Sequence, residues 1–328
     1  MKMDNEFSDK ELVDWIKLTM VKSGLGPSRI QMLIRYFGSP NGIFEASKSD
    51  LLTIKGINEK IVDGIERLKK AKDDEFYNLI NKCKSEAIKI IPLINKLYPE
   101  ALKNISSPPL TLYMLGNTNL LSMQRRTIAI IGSRFPSSEA EKFAYNLSKE
   151  IASSSYLVIS GGAQGVDTFA HKGALDSEKP QTISVLGAGF HHLFPEQNKE
   201  LFEDILKNKG LLISENTPDF IGSKISYVQR NRIISGLATY VFAVAAKEKG
   251  GTIEQIRIAH EQKRQIFCPS LSLGIKPNEG IRIAIEKHGA LQVGDTEQFL
   301  DKLMEQSTSS DKTINYGERQ IYPLLSRI

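Results

Sequence analysis

From residue 127 to residue 268 one pattern recurs: a short apolar run, a glycine or polar turn, then a stretch with helical spacing. The runs are Thr127–Ile131, Leu157–Ser160, Thr182–Leu186, Leu211–Ile213, Tyr240–Ala245 and Gln265–Cys268. They are continuous rather than alternating, so each strand must be covered on both faces. Strands of that kind form parallel sheets whose crossovers are helices. The segment between the first two runs fits: about Glu139–Ser153 places Phe143, Leu147 and Ile151 on one helical face. The pattern predicts an α/β domain over 126–296, doubly wound around a mostly parallel sheet, with no internal repeat.

The flanks read differently. Residues 1–72 suggest a small all-α domain, with Leu12, Trp15, Ile16, Leu18 and Met20 at helical spacing and glycine turns at Gly24-Leu25-Gly26-Pro27-Ser28 and Phe37-Gly38-Ser39-Pro40. Leu52–Ile61 looks like the turn of a helix-hairpin-helix or SAM-like unit, in which Gly56 lets backbone approach a phosphate and Asn58 tolerates a left-handed conformation. Residues 73–125 read as a connection that adds an edge strand at Leu110–Met114, entered through Ser107-Pro108-Pro109. For 297–328 the expectation is a C-terminal helix and a short tail. Ser307–Lys312 reads as a polar linker, and 313–328 is too short for a complete winged helix.

The 328 residues suffice for two or three domains. A formal net charge of +5 tolerates an anionic partner without requiring one. Cys83 and Cys268 stand alone, which argues against a disulfide framework or a structural metal. His191 and His192 are adjacent and unframed by other ligands, so a loop role is expected. The N-terminus lacks the apolar stretch of a signal peptide, and no run approaches the length of a membrane helix. A cytoplasmic protein with no membrane partner is expected.

In an open parallel sheet, ligands bind beyond the carboxyl ends of the strands, where glycine-rich turns meet helix N-termini. Four segments should converge there. Gly132-Ser133-Arg134 combines close backbone approach, a hydroxyl and a guanidinium fork suited to phosphate oxygens. The loop Gly161-Gly162-Ala163-Gln164-Gly165 leaves N–H groups to face an anion, with Asp167 expected to cap the next helix. Lys224, Tyr227, Arg230, Asn231 and Arg232 bring cations and a ring together within nine residues, as single-strand binding requires; a solvated basic loop is the plainer reading. Gly250-Gly251-Thr252 is a further phosphate cradle. G-x-G-x-x-G, the Walker A lysine and the Gly-x-Ser-x-Gly elbow are missing, so no cofactor, ATPase centre or catalytic triad is expected.

These blocks resemble a known family. Ile130-Ile131-Gly132-Ser133-Arg134, Ser160–Asp167 with Ala170-His171, and Arg230-Asn231-Arg232-Ile233-Ile234-Ser235-Gly236-Leu237 look like the three hallmark segments of DNA-processing protein A (DprA, also called Smf). Tyr98-Pro99, Pro109 with Leu112-Tyr113, Pro195 with Asn198, Ser214-Glu215 and Pro269 support the match across roughly 98–290. The resemblance implies an extended Rossmann-like domain that binds single-stranded DNA without strong sequence preference. It also implies a non-catalytic homodimer that loads RecA on DNA in natural transformation and recombination. Carried over, the DNA contacts would be Arg134, the Gly161–Gly165 loop, Lys224, Tyr227, Arg230 and Arg232. The chain departs from the family at Tyr227, usually phenylalanine, at Ala245-Ala246, where a glutamate is usual, and at Gly250-Gly251, usually Ser-Gly. Many members also end in a winged helix.

Two other classes compete. Gly250-Gly251-Thr252-Ile253-Glu254-Gln255 resembles the loop of nucleoside-monophosphate phosphoribohydrolases, but Gln255 stands where the catalytic carboxylate belongs, and an amide cannot act as a general base. A nucleotide-sensing protein of signalling or defence is the other alternative.

Overall fold

The computed structural model describes residues 7–21, 25–121 and 126–310. Gly24 and the tail beyond residue 310 lie outside them. The chain divides into two compact units, residues 1–115 and 116–328.

In the first unit, α1 (Asp9–Thr19), α2 (Pro27–Phe37), α3 (Pro40–Glu45), α4 (Lys48–Thr53), α5 (Glu59–Lys69) and α6 (Asp74–Ser85) precede β1 (Lys89–Pro92), α7 (Glu100–Lys103) and β2 (Thr111–Gly116). A capping box opens α1. Ser8 Oγ accepts the Glu11 N–H, and Glu11 Oε2 accepts the Ser8 N–H. Leu12, Val13 and Ile16 then pack against Phe76 and Ile80. Lys17 is buried there, with its ammonium on Asp73 and the Ala71 carbonyl and over the Phe76 ring. Gly56 takes the left-handed conformation of the α4–α5 turn at φ 86°. Asn58 does not: it is extended, and its side chain caps α5 by accepting the Ile61 N–H. Strands β1 and β2 pair antiparallel, with Lys89 opposite Met114.

In the second unit, β3 (Thr127–Ile131), α8 (Ser138–Ser153), β4 (Leu157–Ser160), α9 (Val166–Leu175), β5 (Thr182–Leu186), α10 (Lys199–Lys207), β6 (Leu211–Ser214), α11 (Lys224–Leu237), β7 (Tyr240–Ala243), α12 (Gly251–Glu261), β8 (Gln265–Pro269), α13 (Glu279–His288), β9 (Leu291–Val293) and α14 (Thr296–Ser310) alternate. The strand order is β6-β5-β4-β3-β7-β8-β9, and the neighbours pair parallel. This is the doubly wound α/β architecture read from the apolar runs. The winding reverses between β3 and β7, where Ile128 faces Tyr240 and Ile131 faces Ala243. A crevice must open there, because the helices that follow these two strands leave on opposite faces.

One face of the sheet packs Ile130 and Phe242 against Ala144 and Leu147 of α8. Helix α14 joins the same cluster. Phe299 lies 4.9 Å from the Phe242 ring and 4.8 Å from the Phe267 ring, and Leu303 is buried beside it. The polar look of Ser307–Lys312 suggested a linker, yet α14 continues through Ser310. No helix among the described residues is long and apolar enough to cross a membrane.

Candidate nucleic-acid interface

The switch point places Gly132, Ser133 and Arg134 at the carboxyl end of β3 and Gly250 and Gly251 beyond that of β7. Between them opens a cleft of about 1060 Å³, closed on a third side by the first turns of α11. The β3 turn is fixed at both ends. Ser133 donates its N–H to the Ala245 carbonyl (2.8 Å), and its own carbonyl accepts the Val166 N–H (3.1 Å). Its hydroxyl accepts the Phe135 N–H. Arg134 is left exposed at the cleft mouth, with no carboxylate partner among the described residues.

The glycine loop after β4 is organised from within. Asp167 was expected to cap α9; instead its Oδ2 accepts the N–H groups of Gly161 (3.2 Å) and Ala163 (3.3 Å). Two of the amides expected to face an anion are therefore occupied by an internal carboxylate. Asn198 closes the loop from the far side, donating to the Gly162 carbonyl (3.0 Å) and to Thr168 Oγ1 (2.8 Å). Gly165, at φ 84°, has no room for a Cβ, which would lie 2.4 Å from the Ser133 carbonyl oxygen.

Arg230 lies beneath this loop, 5% exposed, and donates from Nη1 to the Val185 carbonyl at 2.7 Å. A Cβ on Gly161 would lie 1.6 Å from that nitrogen, so the glycine is required by the arginine. Burial pushes the Asp167 carboxyl above its ordinary pKa, and the nearby Arg230 charge opposes that shift. Behind the pair, His171 is fully buried, and burial lowers its pKa to about 3. The Thr182 hydroxyl donates to the Val158 carbonyl, so His171 Nδ1 donates to Thr182 Oγ1 (2.9 Å). Nε2 is left as a buried acceptor without a partner.

The segment from Lys224 to Arg232, read as a basic strip or loop, is the start of helix α11, capped by Ser223 on the Ser226 N–H. Helical phase separates its cations, because residues two apart point in different directions. Lys224 stays exposed on the cleft. Arg230 and Asn231 turn inward and still line it. Arg232 points elsewhere and is held by both carboxylate oxygens of Glu215 (2.8 and 2.6 Å). Tyr227 is half-buried on the cleft wall, 5.7 Å from the ring of Phe194.

Gly250, Gly251 and Thr252 line the opposite end, at the N-terminus of α12. Gln255 is buried there with its Nε2 unpartnered, and Glu254 is turned to Arg257. Of the glycine loop only Ala163 lines the cleft; Gly161, Gly162 and Gly165 do not, and Gln164 is exposed, accepting from Gln197 Nε2 (3.3 Å). The sequence reading missed three exposed lysines: Lys199, at the start of α10, and Lys247 and Lys249, in the connection between β7 and α12. It also missed Phe135 and Phe194. No motif marks them, because only the fold brings them together.

Comparison with known proteins agrees with this geometry. Residues 89–304 match the model of the family described as DNA recombination-mediator protein A. The chain belongs to the DprA/Smf family. It is 33% identical over 238 residues to the DNA processing protein DprA of Bacillus subtilis, covering 71% of this chain and 79% of that one. The structure of DprA from Streptococcus pneumoniae superposes with a TM-score of 0.75 at 27% identity, over 90% of this chain and 98% of that one. DNA processing protein A from Helicobacter pylori, whose structure addresses its single-stranded DNA binding mode, aligns with a TM-score of 0.60 at 27% identity over 67% of this chain and 96% of that one. A DNA-processing protein with a Rossmann-like domain is thereby established.

Proposed function

We propose that this chain binds single-stranded DNA without strong sequence preference, through the cleft at the β3–β7 switch point. The observation that carries this reading is the cluster of exposed cations on one cleft, none with a carboxylate partner among the described residues: Arg134, Lys199, Lys224, Lys247 and Lys249. Cations at separate points along a groove neutralise successive phosphates and release their counterions, and this attraction is indifferent to base sequence. The binding mode of the Helicobacter pylori relative supports the same ligand. By the family's pattern, the protein acts as a homodimer and loads RecA on the bound strand during transformation and recombination.

A binding role without catalysis fits the acidic residues. Asp167 is committed to loop amides, Glu254 to Arg257, and Gln255 offers no general base at the glycine turn before α12. The test is binding of a labelled oligo-dT over a salt series, with AMP as competitor. The reading predicts affinity that falls steeply with salt and is untouched by AMP at equal phosphate concentration. Displacement by AMP, or release of ribose 5-phosphate from it, would support a nucleotide site instead.

A further inference from the structure

We propose that the start of α12 is a subsite for a terminal phosphate, the monoester at the end of a nucleic-acid strand, with the Gln255 amide as its buried donor. The proposal rests on the single-strand reading above and adds which part of the strand this end of the cleft receives.

Helix α12 opens without a side-chain cap, whereas Ser223 caps α11. Its first helical bond runs from the Glu254 N–H to the Gly250 carbonyl (3.3 Å). The amides of Gly251, Thr252 and Ile253 precede that bond and have no acceptor within the helix. Glu254, the acidic residue of this turn, is held by Arg257. The glycines also differ from those of the β4 loop. A Cβ on Gly161 would strike Arg230, and one on Gly165 the Ser133 carbonyl, but a Cβ on Gly250 or Gly251 meets nothing within 4 Å. The space before these amides is open cleft.

Gln255 points to a ligand independently of the helix start. It stands at i+4 from Gly251 and i+3 from Thr252, so it shares their helix face, and helical side chains lean toward the N-terminus. It lines the cleft while only 8% exposed, and its Nε2 has no hydrogen-bond partner. A buried donor without an acceptor is unfavourable until something supplies one. The terminal amide turns about a soft torsion, so Nε2 can meet a group seated on the helix start. Lys247 and Lys249 line the cleft from the connection just before Gly250.

The class of group follows from the depth of that amide. A phosphate within a strand carries sugars on both sides and offers two free oxygens. A terminal phosphate enters end-on, with three acceptor oxygens and nearly two negative charges. The uncapped amides, the Thr252 hydroxyl and the Gln255 amide are donors suited to it. A strand end is then held here while the other cations of the cleft hold its successive phosphates. A free mononucleotide offers the same monoester without those further contacts, so it competes only at far higher concentration.

The test compares three internally labelled oligo-dT strands of equal length: one with hydroxyls at both ends, one with a 5′-phosphate and one with a 3′-phosphate. One of the phosphorylated strands is expected to bind about tenfold or more tightly than the hydroxyl strand. Gln255→Leu should cut that gain to about twofold or less. Gln255→Glu should reverse it, because a carboxylate repels the phosphate and donates nothing. Thr252→Val, at a half-buried position on the cleft, should lower the gain as well, so the test does not depend on the buried site alone. Equal wild-type affinity for all three strands, or a gain that survives these substitutions, overturns the terminal subsite and leaves the single-strand reading standing. Displacement of the phosphorylated strand by an equal concentration of dTMP makes a free mononucleotide the occupant and overturns the strand end. Binding of none of the three strands overturns both readings.

Discussion

The floor and the rim of the cleft carry the same kinds of residue and use them in opposite ways. On the floor, Arg230, Asp167 and His171 are buried, and their charges and hydrogen bonds are spent on the glycine loop, the β5 carbonyl and Thr182. On the rim, Arg134, Lys199, Lys224, Lys247 and Lys249 are exposed and pair with no carboxylate among the described residues. The floor builds the site, and in the proposed function the rim meets the ligand. An arginine in a hallmark block is therefore not a DNA contact by virtue of its type; its exposure and partners decide.

The largest effect that separates the two regions is on stability. Arg230→Ala leaves Asp167 in a buried site without its cation and the Val185 carbonyl without its donor, and should cost about 3–5 kcal/mol. Arg134→Ala should stay within about 0.5 kcal/mol of wild type, as surface changes do. Urea unfolding of the two variants breaks the comparison if they are equally destabilised.

Acid should weaken the floor through His171. The unfolded chain takes up the imidazole proton near 6.5 and the folded chain only near 3. Between those values the unfolded state binds more protons, so stability falls as pH is lowered through that window. The slope contributed is up to about 1.4 kcal/mol per pH unit. Asp167, with its raised pKa, works in the opposite sense just above its ordinary value of 3.8. Unfolding free energies of wild type and His171→Gln from pH 7 to pH 4 isolate the histidine: the variant should have the shallower profile.

A smaller effect sharpens the account of the glycine loop. Gly161→Ala should cost about 1–3 kcal/mol while Arg230 is present and less in the Arg230→Ala background, because the clash is with that side chain. Additive costs in the double variant would return Gly161 to a ligand-facing role. The smallest effect is expected at Arg232, already bound by Glu215: Arg232→Ala should change oligo-dT affinity less than about twofold, with no change in salt slope.

The strands of the second unit were legible because buried parallel strands need continuous β-branched and apolar runs, and β3, β4 and β5 begin and end where their runs do. Strand β9 was not, since Leu291 and Gln292 are exposed and only Val293 is buried, so no run marks it. The turns of the site were legible from Gly132 and Gly161, which directly follow β3 and β4, and from Gly250, which directly precedes α12. The direction of each side chain was not. Reading Lys224–Arg232 as a strip hides the helical phase that sends Arg230 inward and Arg232 to Glu215. Phe194 and Lys199 come from one segment, Lys247 and Lys249 from another about fifty residues on, and only the strand order brings the two to one cleft.

The most direct test of the rim as the phosphate-binding surface is the salt dependence of oligo-dT affinity in Arg134→Ala/Lys224→Ala. Each lost phosphate contact on a single strand removes about 0.7 from the slope of log K against log salt, so the double variant should lose about 1.4 and bind more weakly at low salt. An unchanged slope and affinity would place the strand elsewhere on the molecule.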